Sequence, residues 1–161
     1  DARGGRYAAV DWAMNIYIDT EFNDFGGELI SLAMVDEDGR EFYAVLNCEN
    51  PSPWVAANVM PVLGQRFASL RMLQTRMEAW LAFYPCVRIV ADWPEDIAHF
   101  CRALITGPGM RLDTPPLTLE VRRDLSSDAS NIPHNALEDA RAIWRAAHNT
   151  TTEKEDHDHA T

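Results

Sequence analysis

Two carboxylates separated by a single residue, Asp19 and Glu21, lie in the segment NIYIDTEF at positions 15–22. Ile16 and Ile18 alternate there with Tyr17, Asp19 and Glu21, which is the period of a β-strand. Alternate strand residues project to one face, so the two acids point the same way. Like charges that close repel, and a buried carboxylate without a partner is costly. A divalent cation is the simplest compensation. The plainer alternative is an exposed edge strand with one acidic face. Against it, Asp is disfavoured in strand interiors, and the hairpin that follows would make this strand central.

Two further segments carry acids in informative places. In IVADWPEDIAHF, Asp92 ends a short apolar strand and Asp96 falls in the first turn of the next helix. The C-terminal edge of a strand is where α/β proteins place ligands, whereas a helix N-terminus favours an acid for its own sake. In PHNALEDARAIWRAAH, Ala136, Ala140, Ile143, Trp144 and Ala147 make an apolar stripe, and Asp139 falls on or beside it. Asn135 and Glu138 have the spacing of a capping pair, which leaves His134 in the loop ahead of the helix. A five-residue offset within an ideal helix would put His134 and Asp139 about 140° apart; from the loop, the ring can turn towards the acid. His99 falls off the stripe of Ile97, Phe100, Cys101, Leu104 and Ile105 and is expected to face solvent.

The elements that must position these groups follow from the same patterns. A hairpin is expected after the first strand, with strands over about 28–35 and 41–46 around the turn DEDG. A short helix near 55–59, a longer one over 70–83 with Leu70, Leu73, Met77, Trp80 and Leu81 as its apolar stripe, a strand at VRIVAD, a helix from Pro94 to about 105, a Gly/Pro loop, a strand at LTLEV and a last helix over 135–148 complete the series. Three strands followed by alternating helices and strands predict an α/β fold with a mixed central sheet flanked by helices. Residues 1–13 read as a native or vector-derived lead-in ahead of Met14, residues 14–148 as one domain, and residues 149–161 as a disordered tail.

The bulk properties exclude more than they assign. A net charge of −11 argues against coating nucleic acid by electrostatics alone. It leaves open a site where bound cations meet a phosphate. Lys154 is the only lysine, so a phosphate contact within the folded body falls to an arginine, with Arg122 and Arg123 as candidates against the plainer reading of a solvated basic pair. Three cysteines without a close pair give neither a disulfide framework nor a zinc site, and point to a reducing cytoplasm. No apolar run is long enough to span a membrane.

Taken in order, D-x-E on the first strand, an Asp after a middle strand and H-x(4)-D opening the last helix resemble the DEDDh 3′-to-5′ exonucleases. YIDTEF followed by ELISLAMVDEDGREFYAV is most similar to the compact bacterial RNase AS-like exoribonucleases. The resemblance implies a ribonuclease H-like fold, and Asp19, Glu21, Asp96 and Asp139 as ligands of two Mg²⁺ or Mn²⁺ ions. It implies His134 as general base, a single-stranded RNA substrate with a free 3′ end, and a homodimer. At the second motif many relatives carry Asn where this chain has Asp92, which keeps Asp92 as the reserve for Asp96, or in a supporting role or as a cap of the turn. Phe22, Leu29 and Ile30 are candidates for packing against the terminal base and sugar, with ordinary core packing as the alternative. Two other functions compete: a DNA exonuclease of the same fold, which substrate preference alone would separate, and a non-catalytic binding module, which an intact acid set argues against.

Overall fold

Strand β1 (Met14–Phe22) is the centre of the molecule. Its even-numbered residues Ile16 and Ile18 are fully buried on one face, and Tyr17 is buried on the other, so both faces must be covered. The structure is a computed structural model describing residues 13–158, of which 150–158 are described by their backbone. The proposed lead-in, 1–13, lies outside the described residues but for its last position.

Strand β2 (Leu29–Asp36) pairs antiparallel with β1, setting Asp19 opposite Ala33 and Glu21 opposite Ser31, with a bulge between Glu21 and Phe22. Strand β3 (Glu41–Val45) continues the meander. Strand β4 (Val87–Ala91) lies parallel to β1 on its other side, and β7 (Leu117–Val121) lies parallel to β4. The resulting five-stranded mixed sheet has the order β3-β2-β1-β4-β7, and helices cover it, consistent with a ribonuclease H-like fold. The central placement expected for β1 therefore holds.

One face carries helices α2 (Leu70–Leu81) and α3 (Pro94–Ala103) over a core that includes Ile16, Ile18, Met77 and Phe100. The other carries α4 (Ala136–Asp158), whose buried Ala136 and Ala140 pack on Ile30, Ala33 and Val35. Short side chains at that contact let the helix come close to the sheet, which matters for Asp139 between them. Helix α1 (Pro53–Asn58) begins where Ser52 accepts a hydrogen bond from the Val55 N–H and Pro53 takes the first position, a strong start signal. It is followed by a 3-10 turn at Met60–Val62.

Four expectations are corrected. His99 is only 3% exposed, because its ring stacks on Phe22 at 4.8 Å; counting apolar residues along the helix missed a neighbour supplied by the end of β1. Leu70, expected on the buried stripe of α2, opens that helix and is exposed. The segment after α3, expected as a helix end and then a loop, is a small hairpin of β5 (Ile105–Gly107) and β6 (Met110–Arg111), turned by Gly109 at φ +69°. Helix α4 runs on past His148 into the stretch expected as tail; extending a helix already anchored by packing costs little per residue. Among the described residues, no helix is long and apolar enough to cross a membrane.

The end of α3 is tied down by one side chain. Gln74 of α2, buried, donates from Nε2 to the Ala103 carbonyl at 3.1 Å and the Ile105 carbonyl at 2.8 Å. Gln74→Leu strips two carbonyls of their partner and should cost about 1–3 kcal/mol. Urea unfolding of the two proteins measures it, and an unchanged midpoint would show those carbonyls are served otherwise.

Candidate active site

The carboxylates converge at the C-terminal ends of the parallel strands β1 and β4. Asp19 is 8% exposed, and it faces α4 together with the half-buried Glu21. Asp139, in the first turn of α4, comes down onto the same edge. Carboxylate oxygens of Asp19, Glu21 and Asp139 lie within 4.8 Å of one another, and so do those of Asp19, Asp92 and Asp96. Asp19 belongs to both groups. The five acids thus make two adjoining nests of oxygen ligands with one shared member, and Asp92, expected in a supporting role or as the reserve for Asp96, stands beside it in the second.

Asp96 is turned by specific bonds. Its Oδ1 accepts from the Thr20 N–H at 3.0 Å and from the Thr20 hydroxyl at 2.6 Å. Those bonds carry it across from α3 to the end of β1, so it does more than complement its own helix terminus. Thr20, on the strand face opposite Asp19 and Glu21, is thereby the link between the first and second acidic segments.

Asp139 is held by the loop before its helix. Asn135 caps α4, its Oδ1 accepting from the Glu138 N–H at 3.1 Å, and its Nδ2 anchors the helix start to the Val62 carbonyl at 2.7 Å. The expected return bond from Glu138 to the cap is replaced by pairing with Arg141. His134 adopts φ +66°, a backbone conformation that residues with a side chain rarely take, and its N–H donates to Asp139 Oδ2 at 3.2 Å. The imidazole meets the Trp54 ring edge-on at 4.9 Å. His134 is therefore beside the acid cluster, bound to it through its main chain, with its ring against α1.

Electrostatics define what the cluster lacks. Burial, then the charges of Asp96, Glu21, Asp139 and Asp92, holds the Asp19 carboxyl well above the usual range. Burial first, then Asp139 and Asp96, pushes Glu21 up to about 8. Burial also pushes Asp96 up to about 7, against the opposing pull of its Thr20 bonds. Asp92 and Asp139 are raised as well, burial again leading. Asp139 Oδ1 is buried without a hydrogen bond of normal geometry, although the Ser130 hydroxyl is close enough to favour the ionised form. Crowded carboxylate oxygens with an unused buried lone pair suit hard divalent cations, which take oxygen ligands.

Beside Glu21 opens a cavity of about 330 Å³ lined by Thr20, Glu21, Phe22, Asp24, Phe25 and Trp54. The loop forming it is pinned: the Gly26 N–H donates to Glu95 Oε1 at 2.6 Å, and a Cβ on Gly27 would stand 1.7 Å from the Asn23 carbonyl oxygen. Asn23 in turn reaches the α1 loop through the Asn50 carbonyl and the Ser52 N–H, which brings Trp54 across. Of the residues singled out for base packing, Phe22 lines this cavity. Leu29 lines a separate one of about 480 Å³ with His99 and Arg102. Ile30 is fully buried under α4 and has no surface to offer. Arg122 is committed to Asp124, while Arg123 lies over Trp93. Trp54 and Phe25 went unread because their place depends on loops meeting; Thr20 was in view, between the two acids.

Two sequences from strains of Mycobacterium tuberculosis, each named 3′-5′ exoribonuclease (Rv2179c and MT2234.1), are 32% identical to this chain over 56% of its length and 71% of theirs. The chain belongs to their exonuclease family. No protein-family model matches it.

The raised carboxyls set the behaviour of the metal-free protein. In EDTA the folded state takes up protons near pH 8 and 7 at Glu21 and Asp96, whereas unfolded carboxylates do so only near pH 4. The native state therefore binds more protons across that window, and stability falls as pH rises. Melting temperature in EDTA should be higher at pH 6 than at pH 8.5, and saturating Mg²⁺ or Mn²⁺ should flatten the difference by raising the pH 8.5 value. A metal-free melting temperature that climbs with pH would contradict the crowding described.

Proposed function

We propose that the chain is a metal-dependent exoribonuclease of the DEDDh type, nearest to the RNase AS-like branch, which removes nucleoside 5′-monophosphates from the 3′ end of single-stranded RNA. The pair of carboxylate nests sharing Asp19 carries this reading. The kinship to proteins named 3′-5′ exoribonuclease supports it. Asp19, Glu21 and Asp139 would hold one cation, and Asp19, Asp92 and Asp96 the other. Two such ions, Mg²⁺ or Mn²⁺, supply activation of a water and stabilisation of the leaving 3′-oxygen in an in-line displacement.

The chain's own residues do the rest. The slot of Phe22, Phe25 and Trp54 takes the terminal base and sugar, its rings stacking on any base. That places the last phosphodiester at the acid edge, since Glu21 lines the slot and belongs to the first nest. His134 accepts the proton of the attacking water at its imidazole, a base suited to neutral pH. The bond from phosphorus to the 3′-oxygen of the preceding nucleotide breaks, that oxygen is protonated, and the released nucleotide keeps the phosphate on its 5′-oxygen. Trp54, edge-on to the imidazole, links occupancy of the slot to the position of the base. The same reading carries the homodimer that the resemblance implies, which sedimentation of the purified chain would check.

A time course on matched 5′-labelled RNA and DNA oligomers with Mg²⁺, Mn²⁺ or EDTA tests the reading. The expected result is a ladder shortening from the 3′ end, dependent on metal and faster on RNA. Faster loss of DNA would move the protein to the DNA exonucleases, and no shortening of either would leave a binding module.

Two variants separate chemistry from ligation. His134→Ala should lower kcat about 100-fold or more yet keep the rise in melting temperature that Mg²⁺ or Mn²⁺ brings; wild-type turnover would remove it as the base. Asp19→Asn should be inactive, and in EDTA at pH 8.5 more stable than wild type, because the change deletes the charge common to both nests. A substantially active Asp19→Asn would undo the assignment.

A further inference from the structure

The slot accounts for one nucleotide, and the aromatic surface does not end there. We propose that Trp93 and Arg123 form a second stacking platform, for the nucleotide on the 5′ side of the terminal one, so that the enzyme grips RNA by two successive bases. The inference rests on the exoribonuclease reading above.

Trp93 directly follows Asp92 and is 40% exposed. Phe25, which is 81% exposed, stands 6.2 Å from Phe22 and 6.3 Å from Trp93. It therefore joins the ring of the slot to the ring that directly follows Asp92. The Arg123 guanidinium lies over the Trp93 ring with Cζ 4.5 Å from its centroid, and Nη1 donates to the Asp92 carbonyl at 2.8 Å. This fixes a cation next to the carboxylates, on a chain whose net charge of −11 otherwise repels RNA.

Helix capping gives no reason for this tryptophan. Trp93 occupies the N-cap of α3 and makes no capping hydrogen bond there, where Ser, Thr, Asp or Asn would serve the helix better. Its value lies in what the exposed ring offers. An exposed aromatic ring with an arginine held over one face suits single strands, the base stacking on the other face and the cation meeting the phosphate, without regard to sequence. A duplex end keeps its bases stacked on each other, so the same device selects single strands.

The test compares two substrates in Mn²⁺. One is the p-nitrophenyl ester of thymidine 5′-monophosphate, which has a terminal nucleotide and no second base. The other is a single-stranded RNA pentanucleotide. Trp93→Ala and Arg123→Gln should raise KM for the pentanucleotide about tenfold with kcat held, so that the ratio of kcat/KM values, pentanucleotide over ester, falls by the same factor. Trp93→Phe should restore most of it. Equal losses on both substrates would make Trp93 a structural support of the site, and an unchanged ratio would leave it without a role; either overturns the platform. Binding of the labelled pentanucleotide in Ca²⁺, read by fluorescence anisotropy, separates the two readings. A wild type that binds but cleaves nothing defeats the enzymatic reading, while a tenfold weakening in Trp93→Ala would still uphold the platform.

Discussion

Everything at this edge of the sheet is arranged around one cost, that of holding five carboxylates together out of water. Desolvation is the leading cause of the upward shift at each of Asp19, Glu21, Asp92, Asp96 and Asp139, with repulsion from neighbouring acids adding to it. The protein's own compensation is small. Asp96 receives two bonds from Thr20, Asp139 one from the His134 main chain with the Ser130 hydroxyl close by, and Asp92 the help of main-chain N–H groups and the Arg123 charge. Asp96 and Asp139 also sit in the first turns of α3 and α4, where the helix dipole contributes about 0.3–1 kcal/mol to an acid. Raising Asp96 from 3.8 to about 7 corresponds to about 4 kcal/mol against ionisation. Dipoles and hydrogen bonds do not close that gap. The site is left with a deficit of positive charge, which on the proposed reading the cations and then the reaction exploit.

The fold supplies rigidity where that cost is incurred. β1 is the middle strand, held by β4 as far as Tyr17 and by β2 through Asp19 and Glu21, so the two acids cannot move apart without breaking the β1–β2 ladder. The parallel partner β4 ends beside Asp92 at the same edge, and α3 begins there. Ala136 and Ala140 let α4 approach β2 closely enough for Asp139 to reach Glu21. Larger residues at those positions would hold the helix off and open the first nest.

How much of this the sequence disclosed depended on the range of the cause. The D-x-E pair was readable because strand alternation is local, and Asp139 because an acid on a buried helical stripe is anomalous within one helix. The central sheet followed from hairpin and helix periodicities, and the boundaries of β4 and β7 fell within a residue of expectation. His99, Trp54, Phe25 and the part of Asp92 were set by contacts between segments far apart in the chain. The burial of His99 is caused by Phe22, on a different element, and Trp54 is brought to His134 by the clasp of Asn23 on Asn50 and Ser52. No window of sequence contains such causes. Homology establishes kinship, and the placement of these side chains comes from the structure alone.

On the proposed reading, the division between rigid and adjustable parts separates the residues assigned as ligands from the one assigned as base. Four of the five acids belong to strands or helices of the packed body and the fifth, Asp92, directly follows β4, whereas His134 is on a loop in an unfavourable backbone conformation. That conformation is maintained from two directions, by Asp139 through the main chain and by Trp54 through the ring. If His134 accepts a proton only when a strand is in place, as proposed, it gains from such mounting, because its second support is itself a wall of the slot. Cations need fixed oxygens at all times. On the proposed reading the base needs its position only when the slot is filled, and Trp54 both walls the slot and meets the imidazole.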